Sequence, residues 1–148
     1  MQLVRLIYVS RMTEECDISA IKEILEVSRK KNHELDITGV LCYDPAFFLQ
    51  CLEGPRDAVN ALYASIVRDP RHKDVLLLEY CDVASRGFGE WSMAFLPTQD
   101  LDRQAIAQYT GGGKLNPYAL NAKQAHDFLA GIVEQRRDRL AAQSVASS

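Results

Sequence analysis

The chain has 148 residues, of which 47% are hydrophobic and 25% are charged, and its formal net charge at pH 7 is −3. These values predict one domain with a substantial core. The slight acidic excess gives no indication of nucleic-acid binding, which favours a basic surface. No apolar run approaches the roughly 20 residues that span a bilayer, so we expect no membrane partner.

The cysteines and histidines form no pattern typical of a metal site or a disulfide framework. None of the cysteines has CxxC spacing, and the histidines are scattered along the chain: Cys16, Cys42, Cys51, Cys81, His33, His72 and His126. The N-terminus reads as a first strand and lacks the charged and cleavage regions of a signal peptide. We therefore expect reduced thiols, a cytoplasmic location and no metal.

The sequence up to Pro97 alternates segments with the period of strands and segments with the period of helices. In chain order it predicts a strand at 3–9, a helix at 18–31 capped by Asp17, strands at 37–43 and 47–52 joined by a turn at 44–46, a helix at 55–68, and strands at 75–81 and 88–95. This order predicts an α+β fold, ferredoxin-like βαββαβ with an added fifth strand. Both helices would cover one face of the sheet, with space for a ligand beneath them.

Residues 98–148 are predicted to form a helical C-terminal extension to a domain at 1–97. Helices are expected at 100–109 and 122–142, separated by the glycines at 111–113 and by Asn116-Pro117. One face of the second helix is apolar and must be buried, either on the free face of the sheet or on a partner subunit. The extension is too short for an enzymatic effector domain, so we expect no enzyme activity.

One glutamine, Gln50, stands within the otherwise apolar strand at 47–52. Strand alternation places Phe48, Gln50 and Leu52 on one face, where the amide is predicted to be buried with its neighbours. A buried amide without partners costs about 1–3 kcal/mol, so it requires a donor and an acceptor nearby. The candidate partners are Tyr8, Asn32, Trp91 and Met93.

Five segments combine these residues in one order along the chain. They are RLIYVS at 5–10, ITGVLCY at 37–43 preceded by Asn32, FLQCLEG at 48–54, DPRH at 69–72 and WSM at 91–93. Together they resemble the BLUF family, the blue-light sensors that use flavin, over residues 3 to about 95. The residues after Pro97 resemble, more loosely, the helical extension of short stand-alone members.

The resemblance implies a flavin, commonly FAD, with its isoalloxazine ring between the two helices. It implies that Ile24 and Ile66 flank the ring and that Asn32 bonds its polar edge. The implied contacts to the ribityl and phosphate region come from Asp69, Arg71 and His72, while Phe48 and Met93 complete the cofactor contacts. Related proteins often carry a short amide or imidazole where this chain has Lys31, whose ammonium could pair with a phosphate or reach solvent.

The resemblance also implies that Tyr8 and Gln50 form the light-responsive pair, with Trp91 and Met93 as alternative neighbours that report the switch. A phenol can give an electron and then a proton to excited flavin. Rotation or tautomerisation of the Gln50 amide would reverse its hydrogen bonds, and a new bond at O4 of the ring would shift absorption to the red. Both movements of Gln50 remain open.

Each of these residues, taken alone, also has a structural explanation. Tyr8, Ile24, Ile66, Trp91 and Met93 are residue types common in cores, and a lone glutamine can bond neighbouring backbone. The alternative function is therefore a ferredoxin-like binding or regulatory module without photochemistry. A redox enzyme is disfavoured because no GxGxxG motif is present.

The expected partners are a flavin and a separate downstream signalling protein, and a homo-oligomer is expected. FAD is the expected cofactor, although FMN or riboflavin would share most of the proposed contacts because these contacts are to the common ring.

Overall fold

A computed structural model describes residues 2–111 and 113–137 of the chain. Its strands are β1 (Leu3–Met12), β2 (Thr38–Tyr43), β3 (Phe47–Pro55), β4 (His72–Asp82) and β5 (Ala94–Pro97). Its helices are α1 (Ile18–Glu34), α2 (Arg56–Arg68), α3 (Arg103–Thr110) and α4 (Ala122–Gln135), with single 3-10 turns at Thr98–Asp100 and Pro117–Ala119. Within these residues, no helix is both long enough and apolar enough to cross a membrane.

The five strands form one mixed sheet in the order β4-β1-β3-β2-β5. The first four pair antiparallel, and β5 is added beside β2 in parallel. The α+β fold predicted from the sequence, ferredoxin-like with an added fifth strand and C-terminal helices, is confirmed. The turn between β2 and β3 is closed by Asp44, whose Oδ1 accepts from the N–H groups of Ala46 and Phe47 at 2.7 and 3.1 Å.

Two hydrophobic cores lie on opposite faces of the sheet. Helices α1 and α2 cover the face that carries Tyr8, Phe48 and Leu52. Helix α4 covers the other face with the apolar stripe recognised in the sequence: Ala125, Phe128, Leu129, Ile132 and Val133. The free face of the sheet is thus where this helix packs, and residues 138–142 of the predicted helix lie outside the described part of the chain.

The strand predicted at 88–95 is wrong over most of its length, because β5 begins only at Ala94. The backbone before it is held by another group, the fully buried carboxylate of Glu53, which accepts from the N–H groups of Gly87 and Phe88 at 2.9 and 2.7 Å. These two donors are therefore not available to a sheet neighbour at the point where the predicted strand would begin.

Several other element boundaries also differ from the sequence prediction. Strands β1 and β4 are longer than predicted, and β3 continues to Pro55, so that α2 begins at Arg56. Helix α3 begins at Arg103 because Asp102 caps it and accepts from the N–H of Gln104 at 3.0 Å. At the start of α1, Asp17 is the N-cap as predicted, accepting from the N–H of Ala20 at 2.8 Å.

Candidate functional site

A cavity of about 230 Å³ lies between α1, α2 and the sheet. Its size is near the lower end of the range of small-molecule sites, which begins at about 300 Å³. The cavity is lined by every residue that the sequence predicted to contact a cofactor except Met93: Tyr8, Ile24, Lys31, Asn32, Phe48, Gln50, Ile66, Asp69, Arg71 and His72.

Other lining residues were not singled out as site residues from the sequence. These are Glu23, Val27, Ser28, Leu41, Leu62 and Ser65. Three of them follow the helical spacing of residues that were found: Val27 and Ser28 lie three and four positions after Ile24, and Leu62 lies four positions before Ile66. Leu41 is paired with Gln50 in the register of β2 and β3. Helical periodicity and strand register are thus the signals that could have identified them.

The side chain of Gln50 is hydrogen-bonded at both ends beside this cavity. Tyr8 and Gln50 are directly opposite each other on β1 and β3, and the Tyr8 hydroxyl donates to Gln50 Oε1 at 2.5 Å. Gln50 Nε2 donates to Met93 Sδ at 3.4 Å. Burial raises the pKa of the Tyr8 phenol, so Tyr8 is a protonated donor at neutral pH. The amide therefore has one defined acceptor role and one defined donor role.

Trp91 is not beside Gln50, and it does not share a face of the sheet with Met93. Met93 lies in the core beneath α1 and α2, whereas Trp91 lies in the core beneath α4. The strand period of two would place them together, but both precede β5, in irregular backbone. On its outer side, the Trp91 ring is approached by the guanidinium of Arg137, with 5.8 Å from Cζ to the ring centre.

Asn32 supplies a buried acceptor to the cavity. Its Nδ2 donates to the carbonyl oxygen of Ser92 at 3.4 Å, while its Oδ1 has no hydrogen-bond partner among the described residues. A buried polar atom without a partner costs about 1–3 kcal/mol. An imide N–H such as that of a flavin ring would satisfy this acceptor, so the site fits a flavin at this point.

Charged side chains also line the cavity. Arg71 Nη2 donates to Asp69 Oδ2 at 2.7 Å, and this contact lowers the pKa of Asp69 and raises that of Arg71. His72 Nδ1 lies 2.8 Å from Ser10 Oγ, and its burial lowers the pKa of the imidazole. Lys31 is exposed. The guanidinium of Arg71 and the ammonium of Lys31 are groups that bind phosphate well.

The arrangement of an apolar slot under two helices, a bonded phenol–amide pair and an acceptor for an imide is that of a flavin-binding sensory domain. Residues 3–94 match the BLUF family, described as sensors of blue-light using FAD. This chain belongs to the BLUF family, and it is a blue-light sensor that binds flavin.

Two curated relatives illustrate the range of proteins to which the chain is similar. It is 33% identical over 107 residues to the blue light- and temperature-regulated antirepressor BluF of Escherichia coli K12, covering 72% of this chain and 26% of that protein. It is 33% identical over 118 residues to the photoactivated adenylate cyclase subunit beta of Euglena longa, covering 73% of this chain and 14% of that protein. The chain thus spans about a quarter or less of the length of these relatives.

Solved structures of shorter proteins match over nearly their whole length. The photo-activated state of BlsA superposes with a TM-score of 0.79 at 29% identity, covering 88% of this chain and 94% of that one. The dark state of BlrB, a BLUF protein, superposes with a TM-score of 0.73 at 32% identity, covering 88% and 96%. The similarity in these cases includes the helices that follow the sheet.

Proposed function

We propose that Tyr8 and Gln50 are the light-responsive pair of this sensor and that the cavity between α1 and α2 holds the isoalloxazine ring of FAD. The observation that carries the proposal is the Gln50 amide, which accepts from Tyr8 and donates to Met93 at the wall of the cavity. A side chain bonded in this way can exchange its donor and acceptor ends without any change in packing volume.

The bound flavin supplies absorption of blue light and, when excited, an oxidising ring. With flavin bound, Tyr8 would supply an electron and then a proton to the excited ring and would take both back, since its buried phenol is protonated and already bonded to Gln50. The Gln50 side chain then rotates or tautomerises. Either change reverses the hydrogen bonds that the amide offers to Tyr8 and to the flavin ring. Rotation would break its bond to Met93 and so free the segment that leads into β5.

The remaining lining residues hold the cofactor. Ile24 and Ile66 form the two walls, and Asn32 accepts from the imide with its unpartnered Oδ1. Phe48 closes the side nearest the sheet. Asp69, Arg71, His72 and Lys31, which also line the cavity, would contact the ribityl and phosphate groups.

The output of the switch is proposed to be a contact with a separate signalling protein rather than catalysis by this chain. Support comes from β5, which runs from Met93 towards α3, and from α4, which packs against the opposite core that contains Trp91. A cytoplasmic location and a homo-oligomeric assembly belong to the same proposal. Residues 1–97 would be the photosensor and residues 98–148 its helical output extension.

The test is an absorption spectrum of the purified protein before and after blue light. A flavin spectrum that shifts slightly to the red and recovers in the dark is the expected result. A spectrum that only bleaches would indicate a redox protein. Absence of flavin after reconstitution would indicate a ferredoxin-like binding module, and either result would overturn the proposal.

A further inference from the structure

Arg29, on α1, contacts the segment that leads into β5 without lining the cavity. Its Nη2 donates to the carbonyl oxygen of Met93 at 3.4 Å, and its Cζ lies 4.5 Å from the centre of the Phe95 ring. A guanidinium can make both contacts because its edge carries the donors while its face stacks on an aromatic ring. The Arg29 side chain therefore contacts both Met93, whose sulfur accepts from Gln50, and Phe95 beyond it.

Two neighbours of Arg29 contact the same segment one position earlier. Asn32 Nδ2 donates to the carbonyl oxygen of Ser92 at 3.4 Å, and His33 Nδ1 lies 3.5 Å from Ser92 Oγ. The C-terminal half of α1 thus contacts Ser92 and Met93. Arg29 reaches furthest along this segment, to Phe95 within β5.

On the opposite face of the sheet, the same segment is held by a second arginine. Arg137 Nη1 donates to Glu90 Oε1 at 2.6 Å, and its Cζ lies 5.8 Å from the Trp91 ring centre. The segment is therefore contacted from the α1 side at Met93 and from the α4 side at Trp91. Arg137 is largely exposed, so its ion pair is worth little by itself, whereas Arg29 is partly buried.

We propose that Arg29 is a positioning residue of the light switch, which holds the entry to β5 so that Met93 faces Gln50 and Trp91 faces α4. The inference rests on the roles proposed for Gln50 and Met93. Because Trp91 and Met93 lie on opposite faces, one can replace the other beside Gln50 only if the backbone moves. Arg29 opposes that movement by bonding the Met93 carbonyl and stacking on Phe95.

The test compares Arg29→Gln with Lys30→Gln and Arg29→Lys. Arg29→Gln and Lys30→Gln each remove one positive charge from the same turn of α1, but Lys30 is exposed. Trp91 is the single tryptophan of the chain, so isotope labelling gives one indole N–H resonance that reports its surroundings in the dark. The second readout is the rate at which the red-shifted state returns in the dark.

In Arg29→Gln we expect a displaced or second indole resonance and dark recovery slower by about tenfold, because one charge-assisted bond no longer favours the dark arrangement. Lys30→Gln should match the wild type in both readouts, and Arg29→Lys should recover part of the rate because it keeps the cation. An unchanged indole resonance, or recovery at the wild-type rate, overturns the proposal. If the wild type itself lacks a photocycle, the proposed function fails, while the dark-state resonance still tests Arg29.

Discussion

Trp91 and Met93 are separated by one residue, yet their side chains lie in different hydrophobic cores on opposite faces of the sheet. Met93 accepts a hydrogen bond from Gln50, and Trp91 lies 3% exposed beneath α4. A change of rotamer alone cannot exchange two side chains across a sheet. Light-driven replacement of Met93 by Trp91 beside Gln50 would therefore require the backbone before β5 to move. A strand that moves in this way can change the surface that a partner protein binds.

Replacing Tyr8 by Phe should leave flavin bound and abolish the red shift. The ring keeps its packing, but the hydroxyl that donates to Gln50 and supplies the electron and proton is lost. The measurement is the absorption spectrum before and after blue light. Tyr63→Phe is the matched control, since its ring lies 5.7 Å from that of Tyr8 but does not line the cavity. A normal reversible shift in Tyr8→Phe would rule out the role assigned to Tyr8.

Replacing Gln50 by Leu should also abolish the red shift, and it should reduce the free energy of unfolding by about 1–3 kcal/mol because the buried Tyr8 hydroxyl loses its acceptor. When both partners are removed, in Tyr8→Phe with Gln50→Leu, the loss should be smaller than the sum of the two single losses. Chemical denaturation in the dark measures all three variants. Additive losses would mean that the pair is not energetically coupled.

Replacing Asn32 by Ala should weaken flavin binding without destabilising the flavin-free protein to the same extent. The substitution removes a buried acceptor that has no partner in the described part of the chain, and a single donor bond of 3.4 Å to Ser92. We expect flavin affinity to fall by about tenfold, as one buried hydrogen bond would give. Titration with FAD and denaturation of the flavin-free protein separate the two effects. Unchanged affinity would contradict the assigned contact.

His72 should make the protein less stable as the pH falls below about 6.5, the ordinary pKa of histidine. Burial lowers the pKa of His72 in the folded state. Between this lowered pKa and 6.5, the unfolded chain binds more protons than the folded one, so the free energy of unfolding falls as the pH falls. The nearby charges are Asp69, which opposes the shift, and Arg71, which adds to it.

The measurement is the free energy of unfolding across this pH range for the wild type and His72→Gln. The variant should show a weaker pH dependence, whereas His33→Gln removes an exposed imidazole and serves as the control. The pKa of the Asp69 carboxyl is also lowered in the folded state. The stability that it contributes is lost only below about pH 3.9, so the pH ranges in which His72 and Asp69 act do not overlap. Equal pH dependence in wild type and His72→Gln would refute this account.

The sequence was sufficient for the fold because each element carried its own period. The alternation of Phe48, Gln50 and Leu52 correctly placed the amide in the core, where it is 5% exposed. The strand predicted at 88–95 is wrong over most of its length for a physical reason. Its apolar spacing resembles a strand, but Glu53, more than thirty positions earlier, binds the backbone N–H groups of Gly87 and Phe88. Local patterns do not reveal such a long-range contact.

The lining of the cavity was only partly predictable for a similar reason. Periodicity identifies which side of a helix faces the sheet. It does not identify where that side lines a cavity instead of packing against other side chains, so Val27 and Ser65 were not singled out. A charged residue on a helix, such as Arg29, is ordinarily expected to face solvent, but its contact with Phe95 depends on a strand that is remote in sequence. The positions of Trp91 and Met93 likewise depend on backbone geometry rather than on spacing.

The buried Glu53 carboxylate lies three positions beyond Gln50 on β3 and accepts a hydrogen bond from the N–H of Phe88. The centre of the Phe88 ring lies 6.0 Å from that of the His126 ring on α4. The strand that carries Gln50 is thereby joined to the helix on the far side of the sheet by two hydrogen bonds and one ring contact. A displacement of β3 along its own axis would reach α4 through this linkage, bypassing Trp91 altogether. Under the role proposed for Gln50, α4 would thus be connected to it through Phe88 as well as through Trp91.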